Sequence, residues 1–150
     1  MRRISVLAVL AAVLVSLLLP GAAEASPGSE YAAKAVEATN VAREANDRKA
    51  FEVDACLRGF AVEQARKMAA AGEIFHQDLG AIMDECGLVT TGENVAYGYP
   101  TGRKVVNQGW MRSDGHRANI LNPDFKLVAV AARSSDEGGT WFVAQVFGRR

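Results

Sequence analysis

The sequence has no excess of either charge and few of the residues that usually carry chemistry. Its 150 residues include 17 Lys and Arg against 17 Asp and Glu, with two Cys and two His. Without a basic stripe, the chain is not expected to bind nucleic acid. It also lacks internal repeats and an interdomain linker, so its length indicates one domain.

The motifs of several large enzyme classes are missing as well. There is no H-E-x-x-H, no G-x-S-x-G, no P-loop and no G-x-G-x-x-G. These patterns mark zinc peptidases, elbow-type serine hydrolases, nucleotide hydrolases and dinucleotide-binding proteins.

A long hydrophobic run occurs only at the N-terminus. Arg2 and Arg3 precede an apolar run from Ile4 to Leu19, and Ala23–Ala25 has the A-x-A form of a cleavage site. The run of about 16 residues is shorter than the roughly 20 needed to span a bilayer. We therefore expect residues 1–25 to be a signal peptide and residues 26–150 to be a secreted domain with no stable membrane span. An uncleaved anchor is the alternative.

The two cysteines, Cys56 and Cys86, both lie in the expected mature domain. An even number of cysteines in an exported chain favours a disulfide. Two buried free thiols and a metal pair remain as alternatives, although the spacing is not that of a C-x-x-C knuckle.

Helical periodicity dominates the first half of the mature chain. Ser29 is the expected N-cap of a first helix and Asp54 that of a second, which Gly72 ends. Residues 78–86 predict a short third helix. The first helix has one face of small and aromatic residues, Tyr31, Ala35, Ala38, Ala42 and Ala45, and the second has an apolar stripe, Leu57, Phe60, Ala61, Ala65, Met68 and Ala69.

Strand patterns appear in the second half. Val95–Tyr99 is a strand candidate, a helix follows over about 101–113, and residues 116–121 add a helical turn. Leu127–Ala132 and Thr140–Phe147 flank a Gly-rich turn, which predicts an antiparallel hairpin. Both hairpin strands are apolar on both faces, so we expect a partly antiparallel sheet covered by helices on each side.

Four residues are candidates for chemistry. His76 follows the Gly72 stop, Glu93 lies directly before the predicted strand, and Ser113 and His116 lie between two helical turns. A carboxylate can orient an imidazole or join it on a metal. Spacing alone does not show that these residues meet, and each has a simpler role as a cap or a solvated loop residue. Ser113 lacks the strained turn that activates a serine nucleophile.

Five sequence blocks resemble a known family. They are Thr39–Arg43, Phe75–His76, Gly92–Ala96, the twelve residues Trp110–Leu121, and Val143–Gly148. In this order they resemble the bacterial secreted branch of the CAP (SCP/PR-1-like) superfamily. Trp110–Leu121 is the most specific block, since it resembles "W-M-x-S-x-G-H-R-x-N-I-L" along its whole length.

The resemblance implies an α-β-α sandwich with a mostly antiparallel sheet and a cleft in which two histidines meet acidic residues. His76, Glu93 and His116 match three members of the family's tetrad, whereas its second glutamate falls on Ser113. The resemblance also implies a possible divalent metal such as zinc, held by His76, His116 and Glu93. One charged ligand has become a hydroxyl, which weakens that expectation.

Three functions follow as hypotheses, because a fold does not determine an activity. The first is a monomeric module that binds a small amphiphile, a peptide or a metal outside the cell, or an extracellular protein partner. The second is a metal-assisted hydrolase in which Glu93 acts as general base. The third is a structural or interaction domain. We expect the first and do not expect an enzyme.

Overall fold

The computed structural model describes residues 26–135 and 139–150. The predicted signal peptide therefore lies outside the described residues, as do residues 136–138 of the predicted Gly-rich turn. Among the described residues, no helix is long and apolar enough to cross a membrane.

The fold is a three-layer α/β sandwich, as predicted. In chain order its elements are α1 (Pro27–Glu44), β1 (Glu52–Val53), α2 (Ala55–Ala71), α3 (Leu79–Cys86), β2 (Thr90–Tyr97), α4 (Gly102–Lys104), α5 (Asp114–Leu121), β3 (Leu127–Ser134) and β4 (Trp141–Arg149). A π-helical turn, Val105–Gly109, and a 3-10 turn, Trp110–Arg112, connect α4 to α5.

The sheet has the order β1-β3-β4-β2. The β3–β4 hairpin and the β2–β4 pair are antiparallel, while the two residues of β1 run parallel to β3. The sheet is therefore mixed, with antiparallel pairs predominating. β2 is an edge strand, so side chains from both helical layers can meet along its outer edge.

Side-chain alternation along the strands divides the core between the two helical layers. In β3, Val128 and Val130 pack with α1, whereas Ala129 and Ala131 pack with α2 and α3. Trp110 is almost fully buried in the α1 layer, as expected of a core residue. The predicted disulfide is present and joins Cys56 at the start of α2 to Cys86 at the end of α3.

The predicted helix signals were correct at α2 and wrong at α1. Asp54 caps α2 through its side chain and Gly72 ends that helix with a φ of 71°. The N-cap of α1 is Ser26 rather than Ser29, because Pro27 starts the helix and its ring suits a first-turn position. Ser29 lies inside the helix and donates from its hydroxyl to the Ser26 carbonyl.

Two further boundaries differ from the predictions. β2 begins at Thr90 and not at Val95, so Glu93 lies within the strand instead of before it. The predicted helix over 101–113 is a series of α, π and 3-10 turns. Gly109 ends the π-helical turn, and a Cβ there would lie 2.7 Å from the ring of Tyr99, so a larger residue would displace that ring.

Candidate functional site

The site is built along the outer edge of β2. Because successive residues of a strand point to opposite faces, the Glu93 side chain faces the α2 layer and that of Asn94 faces the α1 layer. The loop after α2 brings His76 to one side of this edge, and α5 brings His116 to the other. The structure thus places His76 and Glu93 in direct contact.

The outer edge of β2 is covered by side-chain donors from the Trp110–Leu121 segment. The indole Nε1 of Trp110 donates to the Val95 carbonyl at 3.3 Å, and Nδ2 of Asn119 donates to the Glu93 carbonyl at 3.1 Å. An edge strand otherwise exposes such carbonyls to solvent or to other chains. The two ends of this sequence block therefore attach the His116 helix to the strand of Glu93.

Glu93, His76 and Gln77 form the first half-site, and Glu93 is its fixed centre. Its side chain has no solvent exposure, whereas that of His76 is 59% exposed. Oε2 lies 2.7 Å from Nδ1 of His76 and accepts from the Gln77 backbone N–H at 3.3 Å. Oε1 accepts from Nε2 of Gln77 at 2.6 Å. Both carboxylate oxygens are therefore engaged, which a buried carboxylate requires.

Gln64 holds the loop that carries His76. Gln64 lies in α2, is 2% exposed, and donates from Nε2 to the Phe75 carbonyl. Sequence reasoning missed both Gln64 and Gln77. A glutamine among the apolar positions of α2 was the available signal, because a buried amide requires hydrogen-bond partners.

His116 and Ser113 form the second half-site. Nδ1 of His116 lies 2.8 Å from the hydroxyl of Ser113. Ser113 precedes α5 but makes no side-chain bond to the helix backbone, so its hydroxyl serves the imidazole. Burial lowers the pKa of His116, and the nearby His76 lowers this pKa further. The folded protein therefore favours a neutral His116.

The α5 helix is anchored by Arg43 of α1. This guanidinium donates to the carbonyls of Ile120 and Asn122 at 2.6 and 3.1 Å, and to that of Lys49 at 2.6 Å. It also lies 3.7 Å from the ring centre of Phe51. Burial, and then the charge of Arg48, lower the pKa of Arg43. The Thr39–Arg43 block thus contributes to the site by holding α5.

The predicted zinc site does not fit this geometry as a three-ligand set. Within 26–135 and 139–150, no group of three or more His, Cys, Asp or Glu residues is arranged to hold a metal ion. The physical reason is that the Glu93 carboxylate is directed at His76 and Gln77. We therefore derive no metal-dependent step at His76, His116 and Glu93.

Two cavities lie away from the histidines. One, of about 440 Å³, is between α1 and α2 and is lined by residues that include Ala32, Val36, Val62, Arg58 and Arg133. The other, of about 520 Å³, lies at the end of α2 beside Tyr97 and Phe142. Neither is lined by His76, Glu93 or His116, so the histidine site and these two cavities are separate features.

Sequence comparison agrees with the fold. A model of the cysteine-rich secretory protein family, CAP, matches residues 36–147. The uncharacterized protein YkwD of Bacillus subtilis is 36% identical over 120 residues, which are 75% of this chain and 46% of that protein. The chain thus spans less than half of this relative.

Solved structures show the same architecture. A cysteine-rich secretory protein from Staphylococcus aureus has a TM-score of 0.70 at 19% identity, covering 85% of this chain and 40% of that chain. An extracellular SCP-domain protein from Bacillus anthracis has a TM-score of 0.69 at 22% identity, covering 86% and 45%. The family match extends over most of the described fold and includes His76, Glu93 and His116, and we conclude that this chain belongs to the CAP, or cysteine-rich secretory protein, family.

Proposed function

We propose that this chain is a secreted CAP-domain protein that binds a small amphiphile between His76 and His116. One observation carries the proposal: a fully buried carboxylate, Glu93, holds a mostly exposed imidazole, His76. A purely structural histidine has no need of an exposed ring. Fixing an exposed ring in advance instead reduces the entropy lost when a ligand binds to it.

The contact with Glu93 determines which hydrogen-bonding atom His76 presents. A carboxylate oxygen accepts hydrogen bonds, so Nδ1 of His76 carries the proton in this contact. In the neutral ring, Nε2 is then an acceptor. A ligand head group with a hydroxyl, amine or amide hydrogen therefore matches this site.

Apolar side chains next to His76 suggest the rest of the ligand. Ile74 and Phe75, which directly precede it, are 41% and 38% exposed. Large apolar residues exposed next to oriented polar groups are a feature of ligand-binding sites. A molecule with a donor head group and an aliphatic tail would satisfy both parts of the site.

The geometry favours binding over hydrolysis. In the hydrolase hypothesis Glu93 acts as a general base on water. Its side chain is inaccessible to solvent, and both oxygens already accept hydrogen bonds. Glu93 would have to leave His76 and Gln77 before it could take a proton from water.

Secretion is part of the proposal. The predicted signal peptide, residues 1–25, would be removed directly before Ser26, which is the N-cap of α1. The Bacillus anthracis relative in fold is an extracellular protein, and a further relative in fold is an outer surface protein of Borrelia burgdorferi. These relatives support the proposed location.

Binding can be tested with monodecanoylglycerol, which has hydroxyl donors and an aliphatic tail. We would titrate it into residues 26–150 by calorimetry, beside His76→Ala and His116→Ala. Lys67→Ala, an exposed position on α2, is the control. Saturable binding that both histidine variants weaken and Lys67→Ala preserves is the expected result. Equal binding by all four proteins would exclude the two histidines as the binding site.

The α1–α2 cavity supports a second candidate, an apolar ligand site remote from the histidines. Its lining includes Val36 and Val62. Ala32→Phe would fill part of this space, because Ala32 also lines it. Binding of the same probe that Ala32→Phe weakens, while His76→Ala does not, would favour the cavity over the cleft.

A further inference from the structure

A network of buried side-chain hydrogen bonds connects α1 to both half-sites. Thr39, Asn94 and Gln145 have no solvent exposure. Asn94 and Gln145 are register partners on β2 and β4, so their side chains share one face of the sheet. Nδ2 of Asn94 donates to Oε1 of Gln145 at 3.0 Å, and Nε2 of Gln145 donates to Oγ1 of Thr39 at 2.9 Å.

The other end of this hydrogen-bond network reaches the two half-sites. Nδ2 of Asn94 also donates to the His116 carbonyl at 3.1 Å. Nδ2 of Asn119 donates to Oδ1 of Asn94 at 2.9 Å and to the Glu93 carbonyl at 3.1 Å. One buried amide, that of Asn94, therefore joins β2 to α5 at two points, the His116 carbonyl and the Asn119 side chain.

The backbone carbonyls of His116 and Glu93 determine which group donates in each of these hydrogen bonds. The carbonyls of His116 and Glu93 can only accept, so Asn94 and Asn119 must present their Nδ2 atoms to them. Asn94 then offers its remaining amide hydrogen to Gln145, and Gln145 offers its own to Thr39. Each member has a donor or acceptor that would be left unsatisfied if its neighbour were removed.

We infer that Thr39 and Gln145 are positioning residues for the ligand site, acting through Asn94 on His116. The inference rests on the proposed function only for its consequence for binding. Since Gln145 and Thr39 touch neither imidazole, their effect must pass through the amide of Asn94. Loss of the Thr39 hydroxyl frees the Gln145 amide to turn, and the donor that Asn94 gives to the His116 carbonyl turns with it.

The test compares Thr39→Val, which keeps the shape and removes the hydroxyl, with Thr39→Ser, which restores it. Val128→Ala is the control, because it removes buried apolar volume from the same core without a polar contact. Asn119→Ala provides a second variant at a partly exposed position, where folding is expected to survive. The readout is the ring nitrogen chemical shifts of His76 and His116 in the ligand-free protein.

Thr39→Val and Asn119→Ala should shift the His116 ring signals, while Thr39→Ser and Val128→Ala should leave them near the wild-type positions. Affinity for monodecanoylglycerol should fall in Thr39→Val, because the His116 ring is displaced, and recover in Thr39→Ser. Shifted ring signals without probe binding in the wild type would keep the positioning role and reject the proposed function. Unchanged His116 signals in Thr39→Val and Asn119→Ala, or an equal change in Val128→Ala, would overturn the inference.

Discussion

Nδ1 of His76 lies 2.7 Å from Oε2 of Glu93, and only one of these two side chains is in contact with solvent. The buried partner is thus the fixed element and the exposed imidazole is the part that it orients. The same arrangement, a carboxylate behind an imidazole, sets the tautomer and direction of histidines at many functional sites.

Replacing Glu93 by Gln should therefore harm the fold as well as the site. The amide has one acceptor oxygen where the carboxylate has two, so a donor of His76 or Gln77 would face an NH₂ group. We expect a loss of about 1–3 kcal/mol in the free energy of unfolding, measured by urea denaturation. Glu73→Gln, at an exposed position in the same loop, should change it little. An equal loss in the two variants would mean that the buried contacts of Glu93 contribute nothing particular.

Removal of the Cys56–Cys86 disulfide should destabilise the protein strongly. The bond closes a loop of about 31 residues, for which the chain-entropy model gives roughly 3–4 kcal/mol. The measurement is the urea midpoint of the wild type with and without reductant. A Cys56→Ala, Cys86→Ala double variant should have the midpoint of the reduced wild type under both conditions. A midpoint that falls with reductant in the double variant too would point to an effect unrelated to the disulfide.

Arg43→Met should lower the free energy of unfolding of the protein by about 2–4 kcal/mol, because three carbonyls lose a charged donor. Arg48→Ala is the matched comparison, since Arg48 is exposed and donates to one carbonyl, that of Leu121 at 3.0 Å. Thermal unfolding of both variants would measure the difference. A smaller loss for Arg43→Met than for Arg48→Ala would contradict the assigned role.

His116 should make stability depend on pH. Burial lowers its pKa below the ordinary value of 6.5, with His76 contributing. The unfolded chain therefore takes up a proton first as the pH falls. The contribution of His116 to the free energy of unfolding should be complete above about pH 6.5. It should decrease as the pH falls from there through the folded-state pKa. Urea denaturation between pH 8 and 5 should show a shallower decrease in His116→Gln than in the wild type, and parallel curves would argue against this origin.

The sequence predicted the helices and the hairpin wherever the local signal agreed with the tertiary structure. Asp54 and Gly72 define α2 because a side-chain cap and a left-handed glycine act locally. The start of β2 was missed because Thr91, Gly92 and Asn94 are typical of turns. Pairing with β4 and the donors of Trp110 and Asn119 override that local preference.

Sequence reasoning named His76, Glu93, Ser113 and His116 as candidates and missed the glutamines around them. The expectation that the two histidines and Glu93 meet came from the family resemblance, and the structure shows His76 and Glu93 in contact. Gln77 carries no local signal that tells a buried amide from a solvated one, whereas Gln145, like Gln64, stands among apolar residues. Their roles depend on which strands and loops become neighbours, and this is a property of the assembled sheet.

Glu93 is expected to hold His76 with Nδ1 protonated and Nε2 open to a ligand. A long-range proton–nitrogen NMR spectrum of the two histidine rings in residues 26–150 at pH 8, with and without monodecanoylglycerol, tests this arrangement. The His76 ring should be protonated at Nδ1, and its Nε2 signal should move when the probe is added. A ring protonated at Nε2, or an Nε2 signal that ignores the probe while it binds, would contradict it.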